Sequence, residues 1–81
     1  MNEFKISLNS IEKVKDFVNA VSKFEQDIDI IVGRYIIDAK SIMGIFSVDL
    51  SRTLTLRIES DDVVVCKEIK EKLKQFVVEE N

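Results

Sequence analysis

From Thr53 to Glu59 the chain alternates without a break. Leu54, Leu56 and Ile58 fall on one side, and Thr53, Thr55, Arg57 and Glu59 on the other. A period of two residues is that of a β-strand with one face buried and one face in water. Phe4, Ile6 and Leu8 repeat the pattern with Lys5 and Ser7 between them. A sheet wet on one face must carry its helices on the other, which predicts an α+β layer structure.

The remaining stretches supply those helices and two more strands. Ile11, Val14, Phe17, Val18 and Val21 recur at helical spacing, with Lys13, Lys15, Asp16 and Asn19 on the other side. Asn9 and Glu12 stand in the spacing of a capping box, so the helix is expected to start after Asn9 and to run to about Phe24. Asp27–Val32 reads as a strand with Ile28, Ile30 and Val32 on one face. Gly33-Arg34 is a short turn, and Tyr35-Ile36-Ile37 closes a hairpin. A short helix is expected from Ser41 to about Val48, and a connection from Asp49 to Arg52. Ser60, Asp61 and Asp62 are N-cap candidates for a last helix with an apolar stripe of Val65, Ile69, Leu73, Phe76 and Val77. Glu68 and Lys72 form an i,i+4 pair on it, and Glu79-Glu80-Asn81 reads as a frayed acidic tail. The order is strand, helix, strand, strand, helix, strand, helix. Pattern alone leaves two topologies open, the ferredoxin-like fold and a second fold named below.

Composition narrows the chemistry. The 81 residues predict one domain, and a chain of this size buries only roughly 60% of the surface its unfolded form exposes. Hydrophobic content of 46% with 33% charged residues predicts a folded chain. There is one cysteine, Cys66, and no histidine. That excludes an internal disulfide and a cysteine-based zinc cluster, argues against a transition-metal site, and leaves no serine or cysteine an imidazole base. No cofactor and no catalytic residue are expected. A net charge of −3 argues against nucleic acid as a partner. No signal peptide or membrane-spanning run is read, so the expected location is the cytoplasm and no membrane partner is expected.

Individual side chains carry two readings. Ser41 is a favoured N-cap residue and, at a helix start, also a place where anionic oxygens are welcome. Ile42, Met43 and Phe46 either pack inward or form an exposed docking face, with Ile45 and Val48 as the inward alternative. Ser10 reads as a first-turn helix residue, Cys66 as a buried thiol, and Tyr35 as strand packing. Asp27 and Asp29 read as alternate positions on the wet face. Lone Gly33 and Gly44 make no phosphate-cradling loop.

The stretch Lys40-Ser41-Ile42-Met43-Gly44, continued by Ser47-Val48, resembles the regulatory-serine motif of the histidine-containing phosphocarrier protein (HPr) family of the bacterial sugar phosphotransferase system. Val21-Ser22-Lys23-Phe24 is similar to the family pattern at the end of the first helix. The resemblance runs from Phe4 to about Phe76. It implies an open-faced β-sandwich, a four-stranded antiparallel sheet with three helices on one face.

The family's other signature is glycine, a residue, histidine, a residue, arginine, proline. Aligned without gaps from Ser41, Leu8-Asn9-Ser10-Ile11-Glu12-Lys13 falls there. Ser10 stands where the phosphorylated histidine would be and Glu12 replaces the arginine, so the resemblance implies a degenerate phosphohistidine site. A serine ester is too stable to relay phosphate as an imidazole phosphate does, and Glu12 repels the anion an arginine would hold.

The resemblance further implies that Ser41 is a regulatory phosphorylation site for a dedicated serine kinase. Lys40, Ile42, Met43, Phe46 and Ser47 would meet protein partners: phosphotransferase-system proteins or a LacI-type repressor of carbon catabolite repression. The family includes a histidine-free variant that dimerises through its first strand, so the chain is read as a monomer or homodimer. The alternative reading is a structural, self-associating paralogue that pairs through Phe4, Ile6 and Leu8.

Overall fold

The computed structural model describes residues 2–79. The elements run β1 (Glu3–Ile6), α1 (Ile11–Val21), β2 (Ile28–Val32), β3 (Tyr35–Asp38), α2 (Ile42–Phe46), β4 (Leu54–Ile58) and α3 (Val63–Lys72), followed by a 3₁₀ turn at Lys74–Phe76. The four strands form one antiparallel sheet in the order β1-β4-β2-β3. A ferredoxin-like sheet would place β1 beside β3, so that alternative is excluded. Here β4 lies between β1 and β2.

The register sorts the side chains. Phe4 faces Leu56 and Ile6 faces Leu54, while Ile28 faces Ile58 and Ile30 faces Leu56. Directly paired residues share a face, so these positions form one apolar layer. Val14, Phe17 and Val21 of α1, Ile45 of α2, and Cys66 and Ile69 of α3 close over it. Leu73 and Phe76 complete the core, where the Phe76 ring stands edge-on to Phe17 at 5.4 Å. Each fully buried side chain of this size contributes about 1.5–3 kcal/mol relative to exposure. The opposite face is polar apart from Ile31 and Ile36: Lys5 Nζ donates to Thr55 Oγ1 at 2.7 Å, and Arg57 reaches Glu59 at 2.8 Å and Asp29 at 3.8 Å.

Several boundaries differ from expectation. The cap of α1 is Ser10, whose Oγ accepts the Lys13 N–H at 3.1 Å, so the Asn9–Glu12 capping box gives way to a serine cap one residue later. Ile11 then becomes the first helical residue. Helical side chains lean back over the preceding turn; Ile11 has none to cover and is 63% exposed, outside the stripe predicted to bury it. The helix ends at Val21, short of Phe24. Asp62 caps α3, accepting from Val64 and Val65, and Ser60 supports it by accepting the Asp62 N–H.

The last helix stops at Lys72, and its ion pair joins Lys74 to Glu71. Val77 leaves the helical path altogether. It bridges to Ile6, while Ser7 N–H donates to the Phe76 carbonyl and Val78 N–H to that of Lys5, each at 2.9 Å. The outer edge of β1 is therefore covered by the chain's own C-terminal segment. Of the predicted acidic tail, Glu80 and Asn81 lie outside the described residues.

Candidate functional site

The β3–α2 corner is built by four successive residues. The Asp38 carboxylate accepts the Lys40 N–H at 2.9 Å, and the Asp38 carbonyl accepts the Ser41 N–H at 3.0 Å. Ser41 is extended (φ −101°, ψ 103°) and caps α2, its Oγ accepting the Gly44 N–H at 3.2 Å. Ser47 Oγ donates to the Gly44 carbonyl at 2.5 Å, so both backbone groups of Gly44 are engaged by flanking serines. A methyl at Gly44 would stand 2.8 Å from Ile37 Cγ2 of β3. Glycine is what lets this helix lie against the hairpin.

That seating divides the predicted docking residues. Ile45 is buried and Ile42 is half-buried against the core, whereas Met43 is 77% and Phe46 42% exposed. The face expected from Ile42 to Phe46 thus narrows to Met43 and Phe46, with Ile42 as their inner neighbour. Lys40 does not extend toward this face: its Nζ donates to the Phe24 carbonyl at 2.7 Å, pinning the loop after α1 to the start of α2. Ser47 is exposed at the C-cap. The turn beyond is held by Asp49, whose Oδ1 accepts from Ser51 Oγ at 2.6 Å and Ser51 N–H at 3.0 Å. These bonds, with Arg52 nearby, hold the Asp49 carboxyl below the usual range.

Ser10 occupies the equivalent position on α1. It is extended (φ −150°, ψ 158°), exposed, and committed through Oγ to Lys13 N–H. Glu12 stands exposed in the first turn, so the free amide groups there already have a carboxylate close by. Asp29 lies on the opposite face of the sheet. Burial first, and the Glu59 carboxylate second, raise its pKa against the pull of Arg57. Cys66 is buried, with its thiol 3.5 Å from the Ser60 carbonyl. Among the described residues no group of three acidic, cysteine or histidine side chains converges as a metal site. The sequence reading missed five exposed apolar residues: Ile11, Tyr35 and Ile36 of β3, and Val63 and Val64 at the start of α3; Tyr35, at 72% exposed, is not strand packing.

An open antiparallel sheet of order β1-β4-β2-β3 with its helices on one face, and a serine-capped short helix after the third strand, defines the class of small open-faced β-sandwiches. The profile described as PTS HPr component phosphorylation site matches residues 12–78, and the chain belongs to the HPr family. The crystal structure of HPr-C-His from Thermoanaerobacter tengcongensis is 28% identical and superposes with a TM-score of 0.71 over 93% of this chain and 92% of that one. Phosphocarrier protein HPr from Bacillus anthracis str. Ames is 29% identical, with a TM-score of 0.68 over 94% and 93%. The histidine-containing phosphocarrier protein of Mycoplasma shares the fold at 17% identity, with a TM-score of 0.68 over 95% and 99%. No curated protein sequence matches the chain. None of the helices in the described residues is long and apolar enough to cross a membrane.

Proposed function

We propose that this HPr-family chain is a non-catalytic, cytoplasmic regulatory protein that binds protein partners through α2 and is switched by phosphorylation of Ser41. The carrying observation is the division within α2. Ile45 anchors the helix, while Met43 and Phe46, which burial would stabilise, stay outside. Exposed apolar side chains on a small protein mark an interaction surface, and methionine suits an adaptable one. A chain without histidine cannot form the family's phosphoimidazole. Ser10, aligned with that histidine, has its hydroxyl engaged as a cap and Glu12 beside it.

Phosphorylation at Ser41 would transfer the γ-phosphoryl group of ATP to Oγ, with ADP leaving and the hydroxyl proton taken up by the kinase. It places about −1.5 to −2 charges at the helix start without melting it. With the Lys40 ammonium held by Phe24, the added charge stays largely unneutralised beside Met43. The switch thus acts on the docking surface and leaves the fold intact. The partners are phosphotransferase-system proteins or a LacI-type repressor.

The test is labelling with ATP and the family's serine kinase, read by intact mass and peptide mapping. A single phosphate on Ser41, absent in Ser41→Ala, is expected. An unlabelled chain beside a labelled control HPr removes the switch. Capture of partners from native cytosol should fall with Phe46→Asp, and equal capture by both forms counts against the docking face.

A further inference from the structure

The two edges of the sheet are treated differently. The outer edge of β1 is paired with Val77–Val78. Along β3, Val32 pairs Tyr35 and Ile30 pairs Ile37 across the hairpin, and the Ala39 N–H continues inward to the Ile28 carbonyl at 2.8 Å. Hydrogen-bonding direction alternates along an antiparallel strand. The odd-numbered residues therefore bond to β2, and the amide and carbonyl of Ile36 point out from the edge. Natural edges are blunted by short strands, charges, proline or bulges. Tyr35-Ile36-Ile37-Asp38 is short and ends in one charge, but it has no lysine or proline, and Ile36 is 60% exposed beside half-buried Ile31.

Two charges flank this bare stretch, and neither Arg34 nor Asp38 makes an ion pair among the described residues. Across the wet face the register runs Glu3, Arg57, Asp29, Asp38. It thus ends in two carboxylates directly opposite each other, an unfavourable pair. A cation arriving on the outer side of Asp38 would complete the alternation.

We propose that this edge pairs antiparallel with the same edge of a second copy of the chain, about a two-fold axis at Ile36. That register sets Ile36 against Ile36, Tyr35 against Ile37, and Arg34 against Asp38 at both ends. The outward amide and carbonyl of each Ile36 then bond to those of its partner, and Arg34 and Asp38, whose carboxylate already accepts the Lys40 N–H, each gain an opposite charge. A two-fold contact demands a surface complementary to itself. An apolar centre, with a cation two residues before it and an anion two residues after, meets that demand. The two sheets join into one, with Ile31 and Ile36 of both copies forming a single apolar strip on the outer face. The contact uses an edge four residues long and belongs to the weak, transient class. It leaves α2 free.

Sedimentation equilibrium over a concentration series reaching about 1 mM tests this, since weak association is populated there. A monomer–dimer equilibrium is expected, with the Ile36 amide gaining exchange protection as dimer forms. Ile36→Lys and Arg34→Glu should each weaken association at least tenfold, and Arg34→Glu/Asp38→Arg should restore it. Circular dichroism checks that each variant is folded, which exposed positions permit. A chain that stays monomeric throughout, or a dimer indifferent to Ile36→Lys, overturns the proposal. So does a dimer sensitive to Ile36→Lys but not to the Arg34 and Asp38 exchanges. Serine-kinase labelling of Ile36→Lys should be unchanged, so this test and the α2 reading fail separately.

Discussion

Gly44→Ala should destabilise this protein even though it improves a helix. In an open helix the exchange is worth about 1 kcal/mol in alanine's favour, because glycine loses more backbone freedom on folding. Here the new methyl would stand 2.8 Å from Ile37 Cγ2 and 3.3 Å from Ser41 Oγ. The first atom belongs to a β-branched side chain on a strand and has little room to turn aside. Relieving such a contact costs about 1–3 kcal/mol. The net effect is a loss of up to about 2 kcal/mol, which lowers Tm by roughly 4–8 °C per kcal/mol in a domain of this size. Ile37→Ala by itself costs about 1–2 kcal/mol, less than the ~2–5 of a fully buried site. Once it is made, the obstructing methyl is gone and Gly44→Ala should stabilise by about 0.5–1 kcal/mol. The sign of one substitution thus depends on the other, with a coupling of about 1–3 kcal/mol. Urea unfolding of the four proteins, compared by midpoint at constant slope, measures it. Equal destabilisation by Gly44→Ala in both backgrounds would refute the claim that close approach to β3 is why glycine is there.

Removing the caps should separate Ser10 from its neighbour. Ser10→Ala and Ser41→Ala are each expected to cost about 0.5–2 kcal/mol in urea unfolding, whereas Asn9→Ala should change stability by less than about 0.5. Phe76→Ala should cost about 3–5 kcal/mol by opening a cavity beside Phe17. It should also speed amide exchange at Ser7 and Val78, since the strand addition on β1 begins at the Phe76 carbonyl. Asp29 gives a pH dependence. Its folded pKa lies above the ordinary value, so the native state holds the proton longer than the unfolded chain, and stability falls as pH rises through that window. Asp29→Asn should therefore be more stable than the parent at neutral pH. The difference should shrink toward about pH 3, where the carboxyl is protonated in both states. A difference independent of pH would dismiss the carboxylate's burial as its source.

Much of the architecture was readable because short strands and helices repeat at different periods. Leu54, Leu56 and Ile58 announced a half-buried strand, and Val14, Phe17 and Val21 an amphipathic helix, and all six are buried where expected. What stayed hidden was set by contacts distant in sequence. Ser10 and Asn9 are equally good caps locally, so local pattern could not say that Ser10 is the one used. Val77 fits the apolar stripe of the last helix by spacing, yet the open edge of β1 draws it out. Within the candidate site, the serine cap of α2 and the inward Ile45 were legible. The fate of Lys40 was not, because its acceptor is a carbonyl at Phe24, 16 residues away. Tyr35 reads as packing because it lies on a strand, but it sits at the hairpin end of the edge strand β3 and is exposed.

The place of β4 has a consequence for how the molecule assembles. β1 and β2 lie on either side of it and share no ladder. Until the stretch from Leu54 to Ile58 exists, the opening strand has no neighbour in the sheet, and only the hairpin around Gly33 can zip up. A nascent polypeptide, or a fragment cut after Thr53, therefore lacks its keystone. It should show fast amide exchange through α1 and β1 however favourable their local patterns. Folding then becomes a single late event, triggered by a segment made after most of its partners have been waiting unpaired.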